Sequence, residues 1–366
     1  MKTNTLLVIG VLIVVVVGGW FVLNEKDGSE QSETVKIGLI LPLTGDLAHF
    51  GEAGQRAASL AIEEINANTG FSYNYELVIE DDSFDARKTA SALNKLISVD
   101  RVDAVVSVGS GPGNVVAPIV EKNKIPHIGL ASDPVVSDGE YNFIHWTRPQ
   151  EEVDTMLTEL KERGLTQVAV MGVNHQGFQA ITDDFKAKAS KAGITIVSDQ
   201  LFNTGETDFK TVIVNSQRTN PDVYLLGAFS PEVEILAKQM KELGITKPLT
   251  SIESFGLSAT PEVFEGHWFI DSAVVTGGFS DKYRAKYNAA VGPTAANIYD
   301  ALNLIVLATE EAGKDNRPTG TDIAVALGKV KGYSGAFGPL SVSPEGQFIS
   351  QPSVKIISNG KPTEVE

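Results

Sequence analysis

Three side chains able to do chemistry stand at matching places in a repeated pattern: Ser110, Ser132 and Glu253. Glu253 is the unexpected one. It ends "PLTSIE", which reads as a buried strand, and Gly256 closes the run. An unpaired buried charge is costly, so such a carboxylate needs a partner or keeps a proton. A carboxylate at the mouth of a cleft asks for a cation. Alternatively, Glu253 pairs with a nearby Lys or caps a helix starting near Ser258, and spacing leaves both readings open. Ser110 lies in "GSGPG" (109–113), which follows a strand and enters a helix. Backbone N–H groups at a helix start seat a carboxylate or phosphate, and the Ser110 hydroxyl would assist. The pattern is not G-x-G-x-x-G and no P-loop Lys follows, so a nucleotide is disfavoured. A tight turn that merely needs glycine also accounts for it.

Other motifs give no reaction. "DDSFD" (81–85) gathers carboxylates but lacks the length and remaining ligands of a calcium loop. Asp85 reads as the cap of the helix that follows it. The five histidines, at 49, 127, 145, 175 and 267, have no ligand spacing, so no metal is expected. There is no G-x-S-x-G and no cysteine, which excludes thiolate catalysis, disulfides and Cys-held zinc. No nucleophile, base and oxyanion seat come together, so the chain does not read as an enzyme and no cofactor is expected. The net charge of −16 argues against a nucleic-acid partner.

These side chains must be positioned by the elements around them. "VKIGLIL" (35–41) is a continuous apolar run, as in a strand covered on both faces. "GEAGQRAASLAIEEINAN" carries Ala57, Leu60, Ala61 and Ile65 at helical spacing. Strand and helix signals then alternate, which predicts α/β architecture with parallel, doubly wound sheets. The pattern restarts at "QVAVMGV" (167–173), with a helix expected from about Ala180 to Ala192. Two long stretches match best, one opening at Asp103 and the other at Asp222. Each runs strand, loop, helix, x-Pro, strand. Seven residues after each Asp comes a loop, at Ser110 and at Phe229; Ser132 and Glu253 follow Pro126 and Pro248. Two Rossmann-like lobes joined by a multi-segment hinge are therefore expected. Residues 35–147 and 277–335 form the first lobe, and 148–276 and 336–366 the second. Ligands of open parallel sheets bind beyond the carboxyl ends of the strands. Ser110, Ser132, Phe229 and Glu253 all sit at such ends and would line one cleft if the lobes face each other.

Ahead of the body, Leu6 to Leu23 is an 18-residue uncharged, almost wholly apolar run. As a helix it would reach about 27 Å, near the thickness of a bilayer's hydrocarbon core. No Ala precedes Ala48, so an A-x-A cleavage site is absent. Residues 1–23 read as one N-terminal transmembrane helix acting as an uncleaved anchor, with a cleaved signal as the alternative. Residues 24–34 read as a polar linker. The charges flanking the span place the body outside the cytoplasm.

"IGLILPLTGDLAHFGEAGQRAASLAIEEIN", "DDSFDARKTA", "APIVEKNKIPHIGLASDP", "FIHWTRP" and "GAFSPEVEILAKQMKELG" together carry a resemblance. From about Val35 to Val354 the chain resembles extracellular solute-binding proteins of the branched-chain amino acid (leucine/isoleucine/valine) type, with the type I periplasmic binding fold. The resemblance implies that Ser110 and Ser132 hold a ligand carboxylate. It implies that the Leu130 carbonyl and Glu253 take the ammonium, and that Phe50 and Phe229 wall the site. Gln176 or Gly177 stands where the family often has a Tyr. The implied function is capture of a free amino acid by hinge closure, for delivery to the membrane subunits of an ABC transporter. A ligand-sensing receptor subunit, or a site for an amide or urea-like solute, are the alternatives.

Overall fold

The computed structural model describes residues 33–348 and 350–365. The expected anchor, and the linker up to residue 32, lie outside the described residues. Among the described residues, no helix is long and apolar enough to cross a membrane.

The first lobe is built on a parallel sheet of β1 (Thr34–Leu41), β2 (Asn74–Asp81), β3 (Ala104–Val108), β4 (His127–Leu130) and β5 (Asn142–Ile144), in the order β2-β1-β3-β4-β5. Helices α1 (Ala48–Ala67), α2 (Ala86–Lys95) and α3 (Ser110–Asn123) are its crossovers. The unbroken apolar run of β1 has its expected cause. Ile37, Leu39 and Leu41 share a core with Ala58, Ala61 and Ile65 of α1. Ile40 points the other way, into a core with Leu93 of α2 and Val116 and Val120 of α3.

The chain then crosses to the second lobe. α4 (Pro149–Glu162), β6 (Gln167–Val173), α5 (Gln176–Ala192), β7 (Thr195–Phe202), α6 (Lys210–Gln217), β8 (Val223–Gly227), α7 (Glu232–Glu242) and β9 (Leu249–Ser251) follow in turn. Their parallel sheet has the order β7-β6-β8-β9. β10 (Trp268–Ser272) adjoins its edge through a parallel bridge between Ile252 and Ile270. The repeat seen in the sequence is a repeat of backbone bonding. Asp103 gives its N–H to the Lys36 carbonyl at 2.7 Å and takes the Lys36 N–H on Oδ2 at 2.8 Å. Asp222 does the same for Gln167, at 2.7 and 2.9 Å. Pro126 and Pro248 each offer a carbonyl to the neighbouring strand, to Val105 and Tyr224.

The chain returns to the first lobe with α8 (Gly277–Tyr287), α9 (Ala295–Ala312), α10 (Gly320–Leu327), β11 (Tyr333–Gly335) and β12 (Gly338–Leu340). Phe279 and Tyr283 pack on Ala53 and Ala57 of α1, and Leu302 and Ile305 join the sheet core. The expected boundary at residue 335 is corrected here. Ala336 lies in the α1–α8 cluster and Phe348 in the first lobe's main core. Only β13 (Pro352–Ser358) and β14 (Lys361–Glu364) belong to the second lobe, as an antiparallel extension of β10. The last crossing thus comes after Phe348, near Ser350. Thr147 of the first crossing and Ser350 of the last lie 3.2 Å apart, hydroxyl to hydroxyl.

Phe348 is fully buried. Phe348→Ala is expected to destabilise the protein by about 3–5 kcal/mol. Amide exchange should quicken first in β1, β3 and α9; quickening confined to the second lobe would refute this placement.

Candidate functional site

Four of the site positions expected from the sequence meet where the two sheets present their carboxyl ends to each other. Ser110 opens α3 and Ser132 follows β4, both in the first lobe. Glu253 follows β9 and Phe229 follows β8, both in the second. With Phe50 and Leu130 they line a shared cavity of about 50 Å³. Gln176 does not belong with them. It is exposed at the start of α5, while the adjacent Gly177 and Phe178 line the cavity. Helical geometry turns a one-residue step by about 100°, so the neighbour faces inward instead.

Glu253 answers the question its position raised. Its φ is +64°, a left-handed conformation that a Glu rarely adopts, and its N–H reaches the Ile270 carbonyl at 2.8 Å. That twist ends the strand and brings the carboxyl to the other lobe. Ser132 Oγ donates to Oε1 and Oε2, at 3.0 and 3.1 Å, and Trp146 Nε1 donates to Oε1 at 2.5 Å. Among the described residues no Lys or Arg pairs with it, and Ser258 bonds elsewhere, to Glu234. Burial pushes its carboxyl up to about 7, against the pull of the Trp146 and Ser132 hydrogen bonds. A Ser hydroxyl has one proton, and here Glu253 takes it. As placed, Ser132 donates at the acidic end of the cleft.

The opposite end is a donor surface. α3 begins at Ser110 after Gly109, whose φ is +96°, and the helix has no side-chain cap. Its first turn holds no acidic residue. Ser110 Oγ accepts the Asp133 N–H at 3.1 Å, which leaves its own proton for another acceptor. A carboxylate placed here would meet a helix N-terminus and a hydroxyl together. The Leu130 carbonyl already accepts the Gly109 N–H at 2.8 Å and keeps a second lone pair.

Several walls of the cleft were not foreseen. Phe84 has φ +60°, held by the Asp82 carboxylate on its N–H at 2.9 Å. The "DDSFD" run thus aims one aromatic ring, while Asp85 caps α2 as expected, accepting from Arg87 and Lys88. The Phe84 ring stacks on His175 at 5.7 Å and meets Phe229 edge-on at 5.5 Å, so first-lobe and second-lobe rings interleave. Phe50 also meets Phe229 edge-on, at 6.4 Å. Burial holds the His175 imidazole below its usual range, and its Nδ1 accepts from Gly177 N–H. Phe178 fills the space left by Gly172 and Gly227, where a Cβ would come within 1.9 and 1.5 Å of its ring. Trp146 was visible only as part of "FIHWTRP"; its tie to Glu253 spans the lobes and leaves no periodic signal.

The chain matches the family model described as "Periplasmic binding protein" over residues 34–354. It is 27% identical over 334 residues to the Leu/Ile/Val-binding protein BraC3 of Rhizobium johnstonii, covering 87% of this chain and 89% of that one. It is 25% identical to a leucine-, isoleucine-, valine-, threonine- and alanine-binding protein of Pseudomonas aeruginosa, covering 78% and 80%. Among solved structures, the branched-chain amino acid transporter substrate-binding protein LivJ of Streptococcus pneumoniae, in complex with isoleucine, superimposes with a TM-score of 0.82 at 25% identity. That match covers 91% of this chain and 99% of that one. A leucine-binding protein of Thermotoga maritima gives the same TM-score at 24% identity, covering 91% and 98%.

The lobes meet closely at Gly177, where a Cβ would stand 2.9 Å from Ser110 Oγ. Alanine suits a helix, so Gly177→Ala should keep the fold and its melting temperature. It should hold the lobes apart, seen as a larger radius of gyration in solution scattering. An unchanged radius would show that this contact does not limit their approach.

Proposed function

The chain belongs to the periplasmic binding protein family, and from that premise we propose that it captures a free amino acid with an apolar side chain between its lobes, for ABC-type import. One observation carries the reading. An uncapped helix start with the Ser110 hydroxyl and a buried Glu253 carboxylate that has no paired cation among the described residues face one cavity from opposite lobes. That arrangement suits the two ends of a zwitterion. Phe178, Ile181, Ile252 and Leu257 supply an apolar wall for the side chain. The names of the relatives support the same class.

The ligand is recognised, not transformed. The α3 N-terminus and Ser110 orient its carboxylate, and Glu253 balances its ammonium. Phe50, Phe84 and Phe229 exclude water, which strengthens both attractions. The cavity has room for only a few water molecules, so entry needs the lobes to part about the three crossings. Closure is then favoured by contacts that one ligand makes to both lobes. The body lies outside the cytoplasm in this reading, tethered by the run from Leu6 to Leu23. Mass spectrometry of protein taken from cells should find that run intact; a start between residues 20 and 30 would show a cleaved signal instead.

Calorimetry with a panel of amino acids tests the main reading. Hydrogen bonds to charged groups contribute about 1.5–3 kcal/mol, so Glu253→Gln should weaken binding by about 10- to 200-fold. Ligands lacking an ammonium, such as the matching acids or amides, should lose less; equal losses would make Glu253 structural. The pH dependence has a definite sign. The free Glu253 carboxyl is pushed up to about 7 and must be ionised to hold the ammonium. Affinity should be level above pH 7 and fall by up to about tenfold per unit below it.

A further inference from the structure

Phe178 is seated in the second lobe more tightly than an apolar wall alone requires. Gly172 of β6 and Gly227 of β8 are register partners in the parallel sheet. A Cβ on Gly172 would come within 1.9 Å of the Phe178 ring, and one on Gly227 within 1.5 Å. One ring edge, Cδ1 and Cε1, lies over Gly172; the other, Cδ2 and Cε2, lies over Gly227. The ring therefore spans both strands and rests on bare backbone. Glycine inside a strand weakens it, and often marks a place where another group approaches closely. Here two glycines, side by side, clear the space for one ring.

The seat leaves the ring no retreat. Side chains alternate faces along a strand, so Val170 and Leu225, each two residues earlier, share the face of the two glycines. They too are register partners, and both are buried. The ring is thus stopped by backbone beneath it and by side chains upstream of it. Phe178 also lines the cavity, so it closes that space at a fixed depth. Parting the lobes does not relieve this limit. Phe178, Gly172 and Gly227 all belong to the second lobe and move together. At about 50 Å³ the cavity takes the volume of about three to five waters, and glycine is already about that size.

We propose that Phe178 is the specificity-determining residue of the cleft: its ring, fixed on the Gly172–Gly227 shelf, limits the ligand to an amino acid with a short apolar side chain, of alanine to valine size. The ligand class rests on the amino acid reading of the cleft; the depth limit rests on the ring and the two glycines.

Calorimetry with alanine, valine, leucine and phenylalanine tests the limit. One methylene in a fitted apolar pocket is worth about 10- to 200-fold. The parent should therefore bind alanine and valine at least about tenfold more tightly than leucine, and phenylalanine more weakly still. Phe178→Ala should strengthen leucine binding by about tenfold or more, with alanine unchanged or weaker. A parent that holds leucine as tightly as alanine, or a variant that keeps the parent's leucine-to-alanine ratio, would overturn the proposal. Phe178→Leu keeps more of the packing and should move the ratio the same way by a smaller factor; it decides the matter should the alanine variant not fold. A ligand-free measurement separates the depth limit from the amino acid reading. Removing the ring leaves an apolar hollow, and such hollows take up benzene. Benzene should raise the melting temperature of Phe178→Ala and leave that of the parent unchanged; an equal response in both would overturn the depth limit. Should the parent bind no amino acid while benzene stabilises the variant alone, the amino acid reading falls and the depth limit set by Phe178 stands.

Discussion

A buried carboxylate at the junction of two bodies constrains everything else here. Moving an ion from water into protein costs several kcal/mol, even after relaxation. Glu253 recovers part of this through Ser132 and Trp146, which both come from outside its own lobe. A carboxylate with its needs met titrates below its usual range; an isolated buried one titrates far above it. A value near 7 lies between those limits. The site is stable enough to fold and unsatisfied enough to want a cation.

The duplicated architecture explains how such a group comes to face a different one. Asp103 and Asp222 perform the same backbone task, and Pro126 and Pro248 place the same carbonyl. The scaffold repeats, but the strand tips do not. Ser110 in one lobe matches Phe229 in the other, and Ser132 matches Glu253. Because the chain crosses between lobes three times among the described residues, the two sets of tips face one another. The first lobe offers hydroxyls and a helix start, the second an acid and an aromatic wall. A zwitterion has the same asymmetry.

This also decides what could be read from the sequence. Ser110, Ser132, Phe229 and Glu253 were legible because strand ends can be located from apolar runs and from Pro and Gly. The repeat then gave two independent counts to the same place. Phe84, Trp146 and His175 were not, since each acts through a partner at least 50 positions away or in the other lobe. The boundary after Phe348 was missed for a related reason. "GAFGPLSVSPEGQF" has neither helical nor strand periodicity, and only the burial of Phe348 among first-lobe side chains assigns it. Gln176 came from the resemblance with Gly177 beside it as the alternative; the structure exposes Gln176 and turns Gly177 to the cavity, in a helix that starts four residues earlier than apolar spacing suggested.

Direct contact between Ser132 and Glu253 bears on how capture and closure are linked. The closed lobes hold hydrogen bonds across the cleft, and the burial that raises the Glu253 carboxyl opposes them. An ammonium beside Glu253 changes that balance, because it favours the ionised carboxyl in the buried state. A ligand that also carries a carboxylate would bring it to the start of α3, where two N-terminal helix ends, of α3 and α5, approach each other near Ser110 and Gly177. Helix starts carry partial positive charge, so their approach is unfavourable until an anion lies between them. Each end of a zwitterion thus removes one electrostatic obstacle to closure. A solute with only one charged end would remove one and leave the other, so on the proposed reading the closing step itself favours a zwitterion.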